Sequence, residues 1–415
     1  MPDAKPLLRQ SDFLKLWGGQ TISQIGSHIS REGLPLTAVL VLGATPFQMG
    51  LLNGASAASV LLFGLFAGAW VDRLRRRPVL IATDFCRALL LATIPLAAVL
   101  HRLTIGHLYL VASLDGVLAT LFDIAYRTYV PSLVGPEALV DANSKLALTE
   151  STSEVVGPGL TGMLVQWLTA PIAIAFDALS FLFSMASVWW IQLPEPRPER
   201  PSGSHILREI RDGLHGCWRD TRLRALMLRT AFGAFFMGFF SLYILYVIRE
   251  LGLNPAQLGF VIAFGGATNL AGAVLAPRLL RRLGLGRSLI ASNVVLGIAC
   301  LLPSLARGSV LASCLVLAIA QLGDVAWPVV NICDRSLCQA VAPPALLGRV
   351  NSAMHLMFRG VLPAGALVGG LLAGSLGLRS TLAVGAIGFL LSTLFLVFSP
   401  IRTMRQLPDL PGRGA

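Results

Sequence analysis

Charged side chains set inside long apolar runs are the residues of this sequence that could do chemistry. Arg31 and Glu32 stand within one such run, Asp115 within another, and Asp324, His355 and Arg359 within two more. If each run is a helix, Arg31 and Glu32 lie roughly 16 Å, and Asp115 roughly 14 Å, from the same end of their spans. Asp324 and Arg359 both lie roughly 14 Å from the opposite side. Matched depth lets a guanidinium meet a carboxylate, and an acid left over in a low-dielectric surrounding can take up and release a proton. Glu32 and Asp115 are therefore the expected proton sites, and Arg31 can pair with either where their helices stand side by side. Asp324 and Arg359, with His355 one turn away, make a second set facing a shared cavity, or else a buried ion pair that holds two helices together. Asp84 and Arg87, three residues apart on one helical face, are expected to neutralise each other.

Such residues need a scaffold that keeps them out of water. The chain of 415 residues is 55% hydrophobic and only 13% charged, about half the charge of an ordinary soluble protein. About twelve runs reach the roughly 20 apolar residues that a membrane helix requires. The fold class expected is thus an all-α polytopic membrane protein with 12 transmembrane helices in two pseudo-symmetric six-helix halves. The net charge of +12 is not a nucleic-acid footprint, because the Lys and Arg residues gather in the turns on one side of the spans. By the positive-inside bias that side is cytoplasmic, as are both termini. Six cysteines are scattered without metal-ligand spacing. No phosphate-binding loop or nucleophile–base pattern stands out. Neither an enzyme nor a cofactor is expected.

The chain is written twice. Arg127 to Asn143 (RTYVPSLVGPEALVDAN) and Arg335 to Asn351 (RSLCQAVAPPALLGRVN) share Arg and Asn at the same separation. The same register relates Gly157 to Gly365, Gly162 to Gly370, Phe181 to Phe389 and Ser184 to Ser392, and Pro46 to Gly50 matches Pro255 to Gly259. Expected domains are 1–192 and 226–400, each a six-helix half, joined by a cytoplasmic linker at 193–225 and followed by a tail at 401–415. The linker opens Pro194-Glu-Pro196-Arg-Pro198 and continues with Ile206, Ile210, Leu214 and Trp218 at fourfold spacing, an amphipathic helix on the membrane surface.

One turn carries a resemblance. Gly68-Ala-Trp-Val-Asp72-Arg73-Leu-Arg75-Arg76-Arg77 resembles the G-x-x-x-D-R-x-G-R-R loop of the major facilitator superfamily, with Arg75 where the family has glycine. Trp17 to Gly26, Asn143 to Gly162, Asp177-Ala-Leu-Ser-Phe-Leu and Glu209 to Leu226 bring the chain near the bacterial efflux branch of enterobactin exporter and macrolide efflux proteins. The resemblance implies that Gly68, Asp72, Arg73 and Arg77 gate the cytoplasmic side, with Asp72 near the start of the eleventh helix. It also implies an antiporter-like motif at Gly157, Pro158 and Gly162. Its fold puts the seventh helix against the cavity, so Phe235, Phe236, Phe239 and Tyr243 become substrate-facing aromatics.

The function expected is a secondary-active exporter of a small amphipathic molecule, driven by protons through alternating access, in the inner (plasma) membrane. Its partners are the small-molecule substrate, protons and the lipid bilayer, not nucleic acid, and the chain acts as a monomer. Uptake of a metabolite, or a non-transporting sensor or scaffold, are the other readings.

Overall fold

The computed structural model describes residue 7 and residues 10–71, 74–135, 137–193, 195, 206–343 and 346–405. Within a bilayer, each backbone N–H and C=O must find a partner in its own segment, so the apolar runs become helices. The first six rods are α1 (Ser11–Leu40), α2 (Pro46–Val71), α3 (Arg76–Val99), α4 (Ile105–Val134), α5 (Leu139–Leu168) and α6 (Ala170–Trp189). The connecting helix α7 (Ile206–Arg219) follows. The second six comprise α8 (Thr221–Met237) with α9 (Tyr243–Arg249), α10 (Pro255–Leu283), α11 (Leu285–Leu305), α12 (Val310–Gln321) with α13 (Ala326–Val341), α14 (Leu347–Leu376), and α15 (Leu378–Leu391) with α16 (Leu394–Val397). Tight 3₁₀ turns at Gly238–Leu242 and Leu322–Val325 interrupt the seventh and tenth rods. Among the described residues, ten helices or helix pairs are long and apolar enough to cross a membrane. The other two rods, α1 and α5, carry Arg31 with Glu32 and Glu150 with Glu154.

The two halves repeat down to their turns. Gly43 and Gly252 both take left-handed φ values (62° and 69°), and Thr169 (φ 96°) occupies the conformation that Gly377 (φ 80°) takes in the second half. Thr169 is strained there, since a β-branched residue pays for a backbone that glycine adopts freely.

The helices gather into two compact units: residues 1–44, 58–202 and 254–263, and residues 45–57, 203–253 and 264–415. The first part of α2 thus packs with the second unit and the first part of α10 with the first. Glycines make both contacts close. A Cβ at Gly162 would fall on the Pro255 carbonyl, and a Cβ at Gly50 on that of Ala366. Small residues at a helix crossing let the backbones meet, as membrane helices commonly do. Outward faces carry Leu62, Leu96, Leu110, Leu179, Phe183 and Leu311, all exposed and suited to lipid.

Polar contacts tie the ends of the first unit. Asp12 in the first turn of α1 accepts from the backbone N–H groups of Gln192 (3.2 Å) and Leu193 (3.0 Å), and Lys15 donates to Trp190 O (2.8 Å). In the second unit α7 lies on the start of α14: Gly213 meets the Arg349 backbone, and Cys217 is fully buried. Burial pushes the Cys217 thiol up to about 11, leaving it unreactive at neutral pH. The expected surface-lying helix is therefore also a protein-packed one.

Asp220 caps α8 by accepting from the backbone N–H groups of Arg222 (2.8 Å) and Leu223 (3.3 Å). Partial burial pushes its carboxyl up, but the Arg222 side chain and the two N–H groups outweigh this and hold it below the usual carboxylate range. Asp220→Ala is expected to cost about 1 kcal/mol of stability, read by thermal melting in detergent, while Asp220→Asn keeps most of the cap. Because the folded carboxyl titrates lower than the unfolded one, the cap's charge contribution is present above the ordinary aspartate range and fades as pH falls through the lowered value.

Candidate functional site

The arginine turn comes first because its residues fix one end of the first unit. Asp72 and Arg73 lie outside the described residues, and Gly68 belongs to α2. Arg77 reaches the end of α6, donating through Nη2 to Trp189 O (2.6 Å) and through Nε to Val188 O (3.3 Å). Glu195, in the linker, accepts from the backbone N–H groups of Arg76 (2.5 Å) and Arg77 (3.1 Å), with Arg76 Nη1 at 3.8 Å. A carboxylate thus sits on the positive end of α3. Glu195 lay unnoticed in the sequence because it falls within a proline-rich linker. The signal was its charge opposite an arginine turn.

The antiporter-like motif in α5 does two things within the first unit. At Gly157 there is no room for a Cβ, because the imidazole of His28 from α1 lies there. At Pro158 and Gly162, α5 meets the beginning of α10: a Cβ at Gly259 would strike the Pro158 carbonyl. Glu32 lines this seam, in a narrow recess shared with Leu36, Thr161, Pro255 and Leu258. The chemistry of the seam is a single carboxylate at the junction of two helices.

The expected charge pairs are rearranged. Arg31 forms no ion pair with Glu32 or Asp115, although its charge acts on Glu32. Its Nη2 packs against the His28 ring, 2.6 Å from Nδ1 and 2.8 Å from Nε2. Asp115 is taken by Arg87 of α3, with Nε to Oδ1 at 2.8 Å. Arg87 also stacks on the Phe181 ring of α6, 4.0 Å from its centroid. The neutralisation expected between Asp84 and Arg87 is thus replaced by an Arg87–Asp115 pair. The three-residue spacing put Asp84 near enough, but Asp115 offers its carboxylate along the guanidinium edge. His28 gave no sequence signal beyond an imidazole three residues before Arg31.

In the second unit, no ion pair joins Asp324 and Arg359. Asp324, in the 3₁₀ turn of the tenth rod, packs beside Gly265 of α10, where a Cβ would come within 2.6 Å of Oδ2. Arg359 and His355 are exposed on α14. Matched depth did not bring the two charges together, because depth fixes height and not the direction a helix face points. Arg229 of α8, buried at 7% exposure, instead pairs with Asp334 of α13 and donates to Asn293 Oδ1 (3.2 Å).

The aromatics divide. Phe239 is 1% exposed and packs on Gly369 and Gly385, while Phe236 fills the space over Gly388. Phe235, Phe236 and Phe239 stack within 5.2–5.8 Å of one another. Phe239, expected to face substrate, is a packing residue: glycines on α14 and α15 leave slots that its ring fills. Phe235 and Tyr243 stay partly exposed.

Comparison with known proteins agrees with this architecture. A family profile described as transmembrane secretion effector, of the major facilitator type, matches residues 4–411. The multidrug efflux pump Tap of Mycolicibacterium fortuitum is 28% identical over 376 residues, spanning 87% of this chain and 89% of its own. The enterobactin exporter EntS of Shigella flexneri is 24% identical over 409 residues, spanning 95% and 94%. A bacterial homologue of the iron transporter ferroportin, in an inward-facing state, shares the fold with TM-score 0.75 at 20% identity, over 95% of this chain and 99% of that one.

Removing one partner of the Arg229–Asp334 pair leaves a buried charge alone. Asp334→Ala is expected to destabilise the chain by about 3–5 kcal/mol, read as a large drop in melting temperature. The double change Arg229→Met with Asp334→Leu should recover most of the loss.

Proposed function

Because the chain belongs to the transmembrane secretion effector family of major facilitator transporters, and is no enzyme, we propose that it exports a small amphipathic molecule from the cytoplasm by proton-coupled alternating access. The observation that carries the coupling is Glu32 in the seam of α5 and α10. Two glycine-lined helices in backbone contact can slide or separate at little cost in side-chain repacking. When they do, the carboxylate between them passes from a dry site to a wetter one, and its hold on a proton changes with that hydration. Substrate binding that favours one arrangement then expels or admits a proton, which is reciprocal linkage.

The exposed charges support the same reading. Arg31 on α1 and Arg359 on α14 sit well inside their helices yet present side chains at the surface of their units. A guanidinium at that depth faces water rather than lipid, so each of these faces is a wet one. Phe235 and Tyr243 are the aromatics that remain available to an apolar part of the substrate. The efflux relatives, matched over most of their length, support export over uptake. The membrane is the bacterial inner membrane, both termini are cytoplasmic, and the working unit is a monomer.

The test is transport in inverted membrane vesicles with a lipophilic dye and a proton-sensitive reporter. The wild type should couple dye movement to proton release, and Glu32→Gln should lower coupled transport by about tenfold or more. Normal coupled transport by Glu32→Gln would remove Glu32 from the mechanism, and dye movement indifferent to the proton gradient would remove proton coupling.

A further inference from the structure

The first unit contains a second set of acids that the seam does not use. Asp84 on α3 and Asp177 on α6 are both fully buried, at 0% exposure. Neither oxygen of Asp84 has a hydrogen-bond partner, nor does Oδ2 of Asp177. Asp177 Oδ1 accepts from Ser180 Oγ (2.9 Å), and Gly26 of α1 packs directly on this pair. Among nearby hydroxyls, Ser184 stands beside Asp84, accepts from Gln20 Nε2 (3.0 Å) and keeps its own proton, and Ser30 stands beside Asp177.

Charge counting frames the chemistry. The charges acting on Asp84 come from Arg87 and Asp177; those acting on Asp177 come from Arg87 and Asp115. At this level α1 contributes Gly26 and Ser30, because its Arg31 is turned to His28 and its Glu32 to the α5–α10 seam. No charge of α5 acts on either acid. The set is therefore three carboxyls and one guanidinium, and the guanidinium is engaged with Asp115. Two further carboxylates, ionised and unpaired in a packed interior, would be strongly disfavoured. Taking up a proton avoids that cost.

The second half supplies an internal comparison. Leu80-Ile-Ala-Thr-Asp84 matches Leu289-Ile-Ala-Ser-Asn293 in the register that relates Pro46 to Pro255. Asn293 is an amide of the same shape as a protonated aspartate. It donates to Ser392 Oγ (3.3 Å) and Thr393 Oγ1 (2.7 Å), and Ser392 is the counterpart of Ser184. Arg87 is answered by Leu296, and Asp177 and Ser180 by Gly385 and Gly388, where Phe236 and Phe239 fill the space. One scaffold is thus built once with an amide and rings, where Arg229 donates to Asn293 Oδ1 and is balanced by Asp334, and once with two unpartnered acids beside an Arg87–Asp115 pair.

We propose that Asp84, Asp177, Asp115 and Arg87 form a proton-binding site inside the first unit, in which Arg87 neutralises Asp115 and the other two carboxyls are held as acids. Asp84 takes the neutral form that Asn293 imitates in the other half. The site is separate from the Glu32 seam, and only its use in transport rests on the proton-coupled reading. Binding of protons by these groups is a property of the purified chain at rest.

Infrared spectroscopy of the purified full chain, grown with isotope-labelled aspartate so that Glu32 does not contribute, tests this directly. At neutral pH the wild type should show aspartic-acid C=O stretching. One acid band should be lost in Asp84→Asn and another in Asp177→Asn, whereas Arg87→Leu should gain one as Asp115 takes up a proton. Asp84→Asn is expected to fold, since Asn293 occupies the equivalent slot. The wild-type spectrum serves on its own if a variant does not fold. No labelled acid band in the wild type, or an acid region unchanged by both Asp→Asn variants, would overturn the proposal. A chain that still pumps without these bands would lose this site and keep the exporter reading. Acid bands in a chain whose dye transport ignores protons would keep the site and lose the coupling.

Discussion

Everything in this structure answers to the cost of carrying charge through a medium that cannot solvate it. Backbone polarity is met by folding each span as a helix. Side-chain charge is met case by case, and each solution marks a different job. Arg229 and Asp334 meet each other and Asn293, closing a polar contact inside the second unit. Arg87 and Asp115 do likewise in the first, with the Phe181 face covering the guanidinium. Glu32 sits at a helix junction, and Asp84 and Asp177 have no counter-ion to themselves. Paired charges offset each other's desolvation, and the carboxyls left over are the proposed proton sites.

Glycine determines where those charges can stand. Gly157 admits the His28 ring, Gly26 admits Asp177 with Ser180, and Gly265 admits Asp324. At Gly162 with Gly259 and at Gly50 with Gly370, the helices meet almost backbone to backbone. Such seams hold few interlocking side chains, so a helix can move along them without dismantling a core. The pair at Gly162 and Gly259 lies beside Glu32, the carboxylate proposed to titrate there.

Much of this was legible in the sequence, and the misses have a common cause. Apolar length gave the helices, and the paired RTYV and RSLC segments gave the two halves, because hydropathy and repetition are properties of the chain itself. Helix α5 spans Leu139–Leu168 and α14 spans Leu347–Leu376, in the register that relates Arg127 to Arg335. Depth along a helix was readable too, yet depth does not say which way a side chain points. That is why Arg31 turned to His28, Asp115 went to Arg87, and Asp324 stayed apart from Arg359. Asp84 read as neutralised by its neighbour at i+3, and only the third dimension showed that Asp115 had claimed the arginine. Phe239 read as a cavity wall because no sequence rule announces that glycines across the way leave a slot for its ring.

With two proposed proton-binding places in one six-helix unit, one at a glycine seam and one walled in, substrate and proton binding would be linked through the first half of the chain. Calorimetry of dye binding to the purified protein, repeated in buffers with different ionisation enthalpies, measures that linkage without any membrane gradient. The account requires the apparent binding enthalpy to become more exothermic as the buffer's ionisation enthalpy rises, because the buffer then takes up the protons that leave as the dye arrives. A binding enthalpy identical in every buffer, across the pH range where the dye binds, would contradict it.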